Sequence, residues 1–458
     1  IALLLVFCLI PGIFACSAAR TPADDGSSPA PTEGPATAAP TAGDVTAAPT
    51  DAPTEAPTAA PTEVPVEEEA LRLAALHGLG KDDLRGEYAL FLRFSEALEA
   101  NQGIDEYKDF VYRIFPVIAD GKEYLDEDFF FPKLTDLTIE VAPISDSANG
   151  MFFDSDSSIY ISESMMETQP YRLAPVLFHE LMHFVDFGIN GYVDYAYILD
   201  GQHLHQYEVD RLPREEQDRA ILCGNSSIIK ESGAELYTTK YFSGAPSAYF
   251  KGTAFMTGIE YIMGEEFMNA LFFRWDSGAV LAELFLEVGY TAEEYQRSTL
   301  ALAALSEVYN GEYDPISPED MLIDLYEYKL GDGWREDEDF HYILKSINGI
   351  AMDDWKRSEH ADFLKTIEFR NWNQYNAFND ALLADVPENP DLAVLPPIPF
   401  MRDGKLLIGD IAVATDLQTG EAFNCCATFD FDFASGTLEG YGLIDLDAFN
   451  AEFFPGVQ

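Results

Sequence analysis

The sequence predicts an α+β fold, with a small mixed sheet ahead of a helical body and a β-rich region at the C-terminal end. Short stretches of alternating apolar and polar residues indicate strands over 137–141, 151–153 and 158–162. Helical periodicity then dominates the middle of the chain. Alternation returns near the end and indicates a β-meander over 405–414, 422–432 and 437–446.

Composition divides the 458 residues into four segments. We expect a signal segment over 1–16, a disordered tether over 17–66, a folded domain over 67–392 and a β-rich region over 393–458. The tether is rich in Pro, Thr and Ala. Proline interrupts both α-helices and the hydrogen bonding of β-sheets, and the segment has few large apolar side chains to form a core. The β-rich region is either a separate appendage or a late sheet of the folded domain.

The first sixteen residues resemble a bacterial lipoprotein signal. The apolar run from Ile1 to Ala15 is too short to span a bilayer stably, and the small Ala15 precedes Cys16. The resemblance implies that Cys16 is lipidated and holds an exported protein at the outer face of the cell membrane. The alternative is a simple secretory signal cleaved nearby. No starting Met or basic n-region is present, and whether the chain is truncated at its N-terminus stays open.

The charge balance is extreme, with 80 acidic against 27 basic residues and a formal net charge of −53. Such a chain repels phosphate backbones, so nucleic acid is excluded as a partner. An anionic membrane surface is equally unsuited to dock the folded part, and membrane contact is expected through the lipid anchor alone. Asp154 and Asp156 are candidate calcium ligands, although no full calcium loop is present. The oligomeric state stays open.

Before the first sheet, periodicity predicts helices over 67–77, 84–100 and 105–118. Asn149-Gly150 then predicts a turn ahead of the second strand. The next helix is predicted to begin near Pro170 or Pro175, because proline is tolerated in a first turn. It is predicted to end around Phe187, with Gly188 as its C-terminal cap.

Polar sequence over 201–218 predicts a loop, after which helices return. They are predicted over 226–242, 253–273, 292–309, 318–329 and 359–384. Thr291 and Glu294 have the spacing of a capping box at the start of the third of these. Three prolines between 396 and 399 separate the helical part from the predicted meander.

One stretch carries recognisable chemistry, the segment His179-Glu180-Leu181-Met182-His183 within an apolar run. On a helix, residues four apart share a face, so His179 and His183 suit two neutral imidazole ligands of one zinc ion. Glu180 is turned about 100° away and reaches a water on the metal without ligating it. Zinc lowers the pKa of that water to about 7, and a carboxylate there accepts its proton. The alternative is a pair of satisfied core histidines.

The His-Glu-x-x-His motif resembles that of the zincin metallopeptidases. The strands before it resemble the zincin N-terminal subdomain, where an edge strand lies over the cleft and pairs with an extended substrate. The metzincin branch would have Gly at position 186 and His at 189, where this chain has Asp186 and Ile189, so that branch is excluded. The gluzincin branch takes a glutamate from a later helix, and the resemblance implies a zincin-like domain of this type.

The segment Lys230-Glu231-Ser232-Gly233-Ala234-Glu235 resembles the second gluzincin helix. Glu231 and Glu235 are four apart, and two carboxylates on one helix face repel each other unless a cation lies between them. The resemblance implies that Glu231 binds zinc and that Glu235 accepts a hydrogen bond from the outer nitrogen of a ligating histidine. The alternative is a solvated acidic helix face. Glu235, His203 and His205 are fallback ligands.

Other residues near the motif have candidate roles. Asp186, three residues after His183, either supports a zinc ligand or simply belongs to the helix end. His203 and His205 line the cleft, bind a second metal or are exposed loop residues. Peptide hydrolysis also needs a donor to the oxyanion, usually Tyr or His in this clan. The candidate donors are Tyr237, Tyr241, Tyr249 and Tyr261.

The sequence therefore predicts a zinc metallopeptidase that cleaves peptides or proteins outside the cell, with endopeptidase favoured over exopeptidase action. His179, His183 and Glu231 hold Zn²⁺, and Glu180 is the general base. One alternative is a surface lipoprotein of zincin fold that acts as a binding or adhesion module without turnover. In another, the β-rich region captures a glycan or protein that the peptidase trims.

Overall fold

The computed structural model of the chain describes residues 65–145, 148–190, 196–223, 227–242, 249–298, 316–348, 358–360, 362–364, 398–415, 422–435 and 437–457. Helices and three small sheets make up this part of the chain, so the predicted α+β class is confirmed. The predicted signal segment, with Cys16, and nearly all of the predicted tether lie outside the described residues.

The α-helices are α1 (Val66–Leu76), α2 (Tyr88–Ala100), α3 (Lys108–Val111), α4 (Phe115–Asp120), α5 (Glu127–Asp136), α6 (Glu163–Thr168), α7 (Leu173–Asn190), α8 (Gln206–Val209), α9 (Arg214–Gln217), α10 (Ser227–Phe242), α11 (Phe250–Met263), α12 (Glu265–Phe273), α13 (Ser277–Val288), α14 (Pro318–Leu330), α15 (Glu338–Asn348) and α16 (Leu446–Phe453). Residues 292–298 and 362–364 are also helical. Within the described ranges, no helix has both the length and the apolar character needed to cross a membrane.

The strands form three sheets. They are β1 (Thr138–Ala142), β2 (Gly150–Phe153), β3 (Ser158–Ser162), β4 (Ala196–Leu199), β5 (Gln202–His205), β6 (Ile221–Leu222), β7 (Ile398–Arg402), β8 (Lys405–Thr415), β9 (Ala422–Asp432) and β10 (Thr437–Asp445). Their orders are β1-β3-β2, β5-β4-β6 and β10-β9-β8-β7.

The helices predicted ahead of the first sheet are present, and one of them is divided. α1 and α2 end within one residue of their predicted ends. The single helix predicted over 105–118 is wrong, because the structure has α3, a 3₁₀ turn and α4 there. Pro116 lies in the first turn of α4. Proline has no N–H, so one unbroken helical ladder through this position is disfavoured.

The periodicity did not predict α5, which contains Pro132 in its interior. An interior proline costs a helix about 3 kcal/mol. The side chain of Asp126 offsets part of this cost by accepting hydrogen bonds from the first turn. Phe130, Phe131 and Leu134 are buried, and each contributes about 1.5–3 kcal/mol. Tertiary burial therefore outweighs the local penalty.

The first sheet packs against α7, and its three predicted strands are confirmed. β1 is parallel and β2 antiparallel to β3, which leaves β2 at an edge. The ring of Phe152 on β2 contacts the rings of Phe184 and Phe187 on α7. The prediction of a turn at Asn149-Gly150 is wrong in part, because Gly150 is already the first residue of β2.

α7 is buried on several sides, as its near-continuous apolar sequence requires. Leu177, Leu181 and Phe184 have no solvent exposure. The prediction of Gly188 as the C-terminal cap is wrong, because the helix continues to Asn190. Ile189 is buried beside Gly121 at the end of α4, and this contact favours the additional residues of helix.

The loop predicted over 201–218 is wrong. This stretch contains β5, α8 and α9, and β4 pairs with both β5 and β6. Asp200 and Gly201 both have positive φ and form the two-residue turn between β4 and β5. Asp-Gly is a typical pair for such a hairpin, so the local signal was present in the sequence.

The later helices follow the predictions in part. α10 and α14 are confirmed. The capping box is confirmed as well, because the N–H of Thr291 donates to the side chain of Glu294 and the N–H of Glu294 donates to the side chain of Thr291. The helix predicted over 253–273 is instead two helices, because Gly264 with φ 88° separates α11 from α12. α13 and α15 were not predicted. Residues 299–309 and 365–384 of the remaining predictions lie outside the described residues.

The C-terminal sheet is the predicted antiparallel meander, with β7 added at its edge. Thr257 on α11 donates a hydrogen bond of 2.8 Å to the carbonyl of Pro399 on β7. Phe400 is fully buried in the same core as the helices. These contacts favour a late sheet that packs on the helical body over a separate appendage.

Candidate metal centre

Two helices bring three of the predicted side chains together. His179 and His183 project from the same face of α7, and their Nε2 atoms are 3.1 Å apart. Oε2 of Glu231 on α10 lies 3.7 Å from Nε2 of His179 and 3.2 Å from Nε2 of His183. Among the described residues, this is the group of three His, Cys, Asp or Glu side chains whose geometry could hold a metal ion.

Aromatic packing holds α10 against α7. The ring of Phe178, next to His179, stacks on Tyr241 with centroids 4.5 Å apart, and it meets Phe242 edge-on. Gly233, between the two glutamates, leaves room for the ring of Phe272 on α12. A Cβ at Gly233 would lie 2.3 Å from that ring. Close packing on both sides of α10 therefore brings Glu231 up to the face of α7 that carries the two histidines.

The electrostatics of the cluster require positive charge. Burial alone would raise the pKa of Glu231, yet the neighbouring imidazoles hold it well below its usual range. Burial would lower the pKa of His179, but its contacts with Glu231 and Glu235 raise it. The pKa of His183 is raised by Glu231 against the same burial penalty. Protons or a metal ion supply the charge that these buried carboxylates need.

Glu180 lies beside the cluster and is 7% exposed. Burial is the main cause that raises the pKa of its carboxyl, and the negative charge of Glu231 adds to it. His179, His183 and a hydrogen bond from the backbone of Phe152 oppose this rise. The side chain predicted as a general base is thus next to the three candidate ligands and has an increased proton affinity.

Gly150 is a site residue that the sequence reasoning assigned to a turn. A Cβ at this position would lie 2.8 Å from both Cγ and Oε1 of Glu180, and 2.9 Å from Cγ1 of Val176. Only glycine lets β2 approach Glu180 this closely. A Gly in a strand next to the His-Glu-x-x-His helix is the available signal, but it requires knowing that the two elements meet.

Glu235 lies where the sequence predicted it, on the outer side of His179. Its Oε2 is 3.0 Å from Nδ1 of His179, and the side chain is 5% exposed. The two atoms are within hydrogen-bonding distance, although their alignment falls short of a well-formed hydrogen bond. Because Glu231 faces Nε2 and Glu235 faces Nδ1, Glu231 is the better ligand of the two.

The structure gives the fallback ligands other surroundings. His203 lies between Asp276 and Glu283, with its two ring nitrogens 2.5 and 2.9 Å from their carboxylates. His205 stacks on Trp275 with centroids 3.8 Å apart. Neither belongs to the candidate metal group. The loop reading of these residues is wrong, because both lie on β5 and contact the segment after α12. Their surroundings do not support the fallback ligand assignments.

Asp186 contacts a residue of α10. Its Oδ1 lies 2.6 Å from Nζ of Lys230, the residue before Glu231. Both side chains are buried. Asp186 thus connects α7 with α10, the helices that carry the three candidate ligands. Any support that it gives to a candidate ligand acts through α10.

Of the four candidate tyrosines, Tyr249 is next to the cluster. Its ring is almost parallel to that of His179, with centroids 6.2 Å apart, and its hydroxyl contacts Glu231. Burial and the charge of Glu231 raise the pKa of this hydroxyl, so it stays a donor. The hydroxyls of the other three contact different groups. Tyr237 donates to Asn269, Tyr241 accepts from Arg113, and Tyr261 donates to Asp337.

The calcium candidates lie in the turn between β2 and β3. Asp154 and Asp156 are not part of a three-residue metal group within the described chain.

Comparisons with protein families, curated proteins and solved structures give no match to this chain.

Proposed function

We propose that this protein is a zinc-dependent peptidase of zincin type with gluzincin-like ligands. One observation carries the proposal. Three donor atoms converge from two helices, and the carboxylate of Glu180 lies beside them. The donors are Nε2 of His179, Nε2 of His183 and Oε2 of Glu231. These are the residues that the sequence resemblance predicts as the zinc ligands and the general base.

The donor set fits zinc. The three donor atoms are separated by 3.1, 3.2 and 3.7 Å. A tetrahedral ion with bonds of about 2.0–2.1 Å separates its ligands by roughly 3.3 Å. Imidazole and carboxylate donors without sulfur are typical of catalytic zinc, which activates a water and polarises a substrate carbonyl when bound.

Glu180 is the proposed general base. Its buried carboxylate accepts the proton of the attacking water and delivers it to the leaving amine. A carboxyl of raised pKa is suited to both steps, because it takes up a proton more readily than an exposed glutamate. The N–H of Phe152 and the imidazoles limit the rise, so the ionised form stays accessible.

Tyr249 is the proposed donor to the oxyanion. Its hydroxyl lies at the edge of the cluster next to Glu231, and its high pKa keeps the proton on the hydroxyl. A donor of this kind stabilises the charge that develops on the carbonyl oxygen in the transition state. Of the four tyrosines considered, it is the one whose hydroxyl contacts a candidate metal ligand.

The edge strand β2 is the proposed binding surface for substrate. Ser162 donates a backbone hydrogen bond to Asn149, so these two residues form a hydrogen-bonded pair in the β2–β3 ladder. Pairs alternate along antiparallel strands, so the carbonyls of Gly150 and Phe152 are directed away from β3, and the N–H of Phe152 on the same side donates to Glu180. An extended peptide that pairs with this edge would pass beside Glu180, which supports peptides as the substrate class.

We place this activity outside the cell on sequence grounds. The predicted lipidation of Cys16 and the Pro/Thr/Ala-rich tether would hold the peptidase at the membrane surface. Replacement of Cys16 by Ser should move the protein from the membrane fraction to the soluble fraction. Retention of the variant at the membrane would contradict lipid anchoring.

Metal analysis of the purified full chain tests the proposed function. We expect about one zinc per chain, as in other catalytic zinc sites, no zinc in His183→Ala, and a much weaker but measurable affinity in Glu231→Ala, which keeps both imidazoles. Glu180→Gln should keep zinc and lower the cleavage of a peptide library by about 10²–10⁴-fold. A chain that binds no zinc after reconstitution would overturn the proposal. Zinc binding without any cleavage would favour a zincin-fold binding module instead.

A further inference from the structure

Lys230 forms a buried link between the two ligand helices. Its Nζ lies 2.6 Å from Oδ1 of Asp186, 2.6 Å from the carbonyl of Phe272 and 3.3 Å from that of Arg274. An ammonium group has three N–H donors, so each has an acceptor. The Lys230 side chain is 10% exposed, so these contacts are made away from bulk water.

The acceptors of Lys230 come from two other helices. Asp186 is on α7, three residues after His183. Phe272 is in the last turn of α12, and Arg274 directly follows that helix. The carbonyl end of a helix carries partial negative charge and favours a cation. Lys230 therefore joins α7, α10 and α12 next to the candidate metal centre.

This link bears on the direction of Glu231. Lys230 and Glu231 are consecutive residues of α10, so their side chains are separated by about 100° around the helix axis. Fixing the ammonium therefore fixes the rotation that directs Glu231 to His179 and His183. Gly233 admits Phe272 to the surface of α10, so the same helix α12 that accepts from Lys230 also packs close to the glutamates.

Net stability does not account for a charged pair at this position. Burying a charged pair costs desolvation energy, and apolar replacements of similar volume are often as stable or more stable. A charged pair with three fixed acceptors specifies one orientation, which an apolar contact does not. This orientation is what a metal ligand on the next residue requires.

We propose that Lys230 is a positioning residue for Glu231, holding α10 in the rotation that makes the third metal ligand available. The proposal rests on the proposed zinc function. It predicts that loss of the ammonium weakens zinc binding through Glu231 and by no other route.

Lys240 provides a matched control on the same helix. Its Nζ lies 2.6 Å from Oε1 of Glu260, and both side chains are largely buried. Lys240 lies nine residues after Glu231 on α10, so Lys240→Met removes a similar ion pair without acting on Glu231. We expect both Lys→Met variants to lower the Tm, and only Lys230→Met to change zinc affinity.

The experiment is a double-mutant cycle on zinc affinity, measured in the full chain by competition with a chromophoric chelator. Lys230→Met should weaken zinc binding by about 10–100-fold, as is usual for residues that support metal ligands. In a Glu231→Ala background, the same substitution should change the affinity by less than about twofold. If Lys230→Met does not fold, Lys230→Met combined with Asp186→Leu leaves no unpaired buried charge and should show the same dependence on Glu231.

The outcomes separate the two proposals. A wild-type chain without zinc affinity overturns the proposed function. A zinc-binding wild type whose affinity is unchanged by Lys230→Met overturns the positioning role alone. An equal loss of affinity in the wild-type and Glu231→Ala backgrounds overturns it as well, because the effect would then not pass through Glu231.

Discussion

Oε2 of Glu235 lies 3.0 Å from Nδ1 of His179, on the opposite edge of the ring from the contact with Glu231. Two acids from consecutive turns of α10 therefore face the two nitrogens of one imidazole. A ring proton on Nδ1 would face the carboxylate of Glu235, and Nε2 would then be free to bind a cation.

Glu235→Ala should weaken zinc binding by about 10–100-fold, because the outer nitrogen of His179 loses the carboxylate that fixes its proton. Glu235→Gln should have a smaller effect, since an amide oxygen still accepts the hydrogen bond. Chelator competition on both variants measures the difference. Equal affinities in Glu235→Ala and the wild type would show that the carboxylate does not support His179.

Gly150→Ala should lower peptidase activity while zinc stays bound, because the added Cβ would lie 2.8 Å from Cγ and Oε1 of Glu180. Displacing a general base by a few tenths of an ångström or more disrupts proton transfer. Gly442→Ala on β10 is a matched control, since a Cβ there meets no atom within 4 Å. Peptide cleavage and zinc content should be measured for both. Full activity of Gly150→Ala would contradict the placement of Glu180.

Tyr249→Phe should lower kcat by about 10²–10³-fold with little change in zinc content, as for loss of one oxyanion donor. The hydroxyl of Tyr249 is next to Glu231, whereas that of Tyr261 donates to Asp337. Tyr261→Phe is therefore the control and should keep full kcat. A normal kcat in Tyr249→Phe would rule out this hydroxyl as the donor.

The four residues on two helices could be proposed from the sequence because their spacing is local. His179 with His183 and Glu231 with Glu235 are both four apart, and helical geometry alone places each pair on one face. The distance between the pairs depends on the packing of α7 against α10, which no local rule provides. The structure brings them within 3.7 Å through the contacts of Phe178 with Tyr241 and Phe242.

Residues whose role depends on tertiary contact could not be selected in this way. Tyr249 was one of four equivalent tyrosines until the start of α11 placed it beside His179. Gly150 could be assigned only to a turn, because the approach of β2 to Glu180 is a long-range contact. Lys230 carried no signal of its own, since a lysine before an acid is ordinary on a helix surface. The Asp200-Gly201 hairpin is different, because the Asp-Gly pair is a local signal that is present in the sequence.

The stability of the fold should depend on the ionisation of one buried carboxyl, that of Glu319. Burial raises the pKa of the Glu319 carboxyl from its ordinary 4.5 to about 7, and Asp320 adds to this rise. The folded state then binds this proton more tightly than the unfolded state, so stability is lost as the pH rises from about 4.5 to about 7.

Glu319→Gln should remove this loss, because the amide does not ionise. The variant should match the wild type near pH 4 and exceed its free energy of unfolding by roughly 3 kcal/mol at pH 8. Urea unfolding at both pH values measures the difference, and the exposed Glu336→Gln serves as the control that should show none. A stability gap for Glu319→Gln that does not change with pH would contradict a neutral, buried carboxyl at this position.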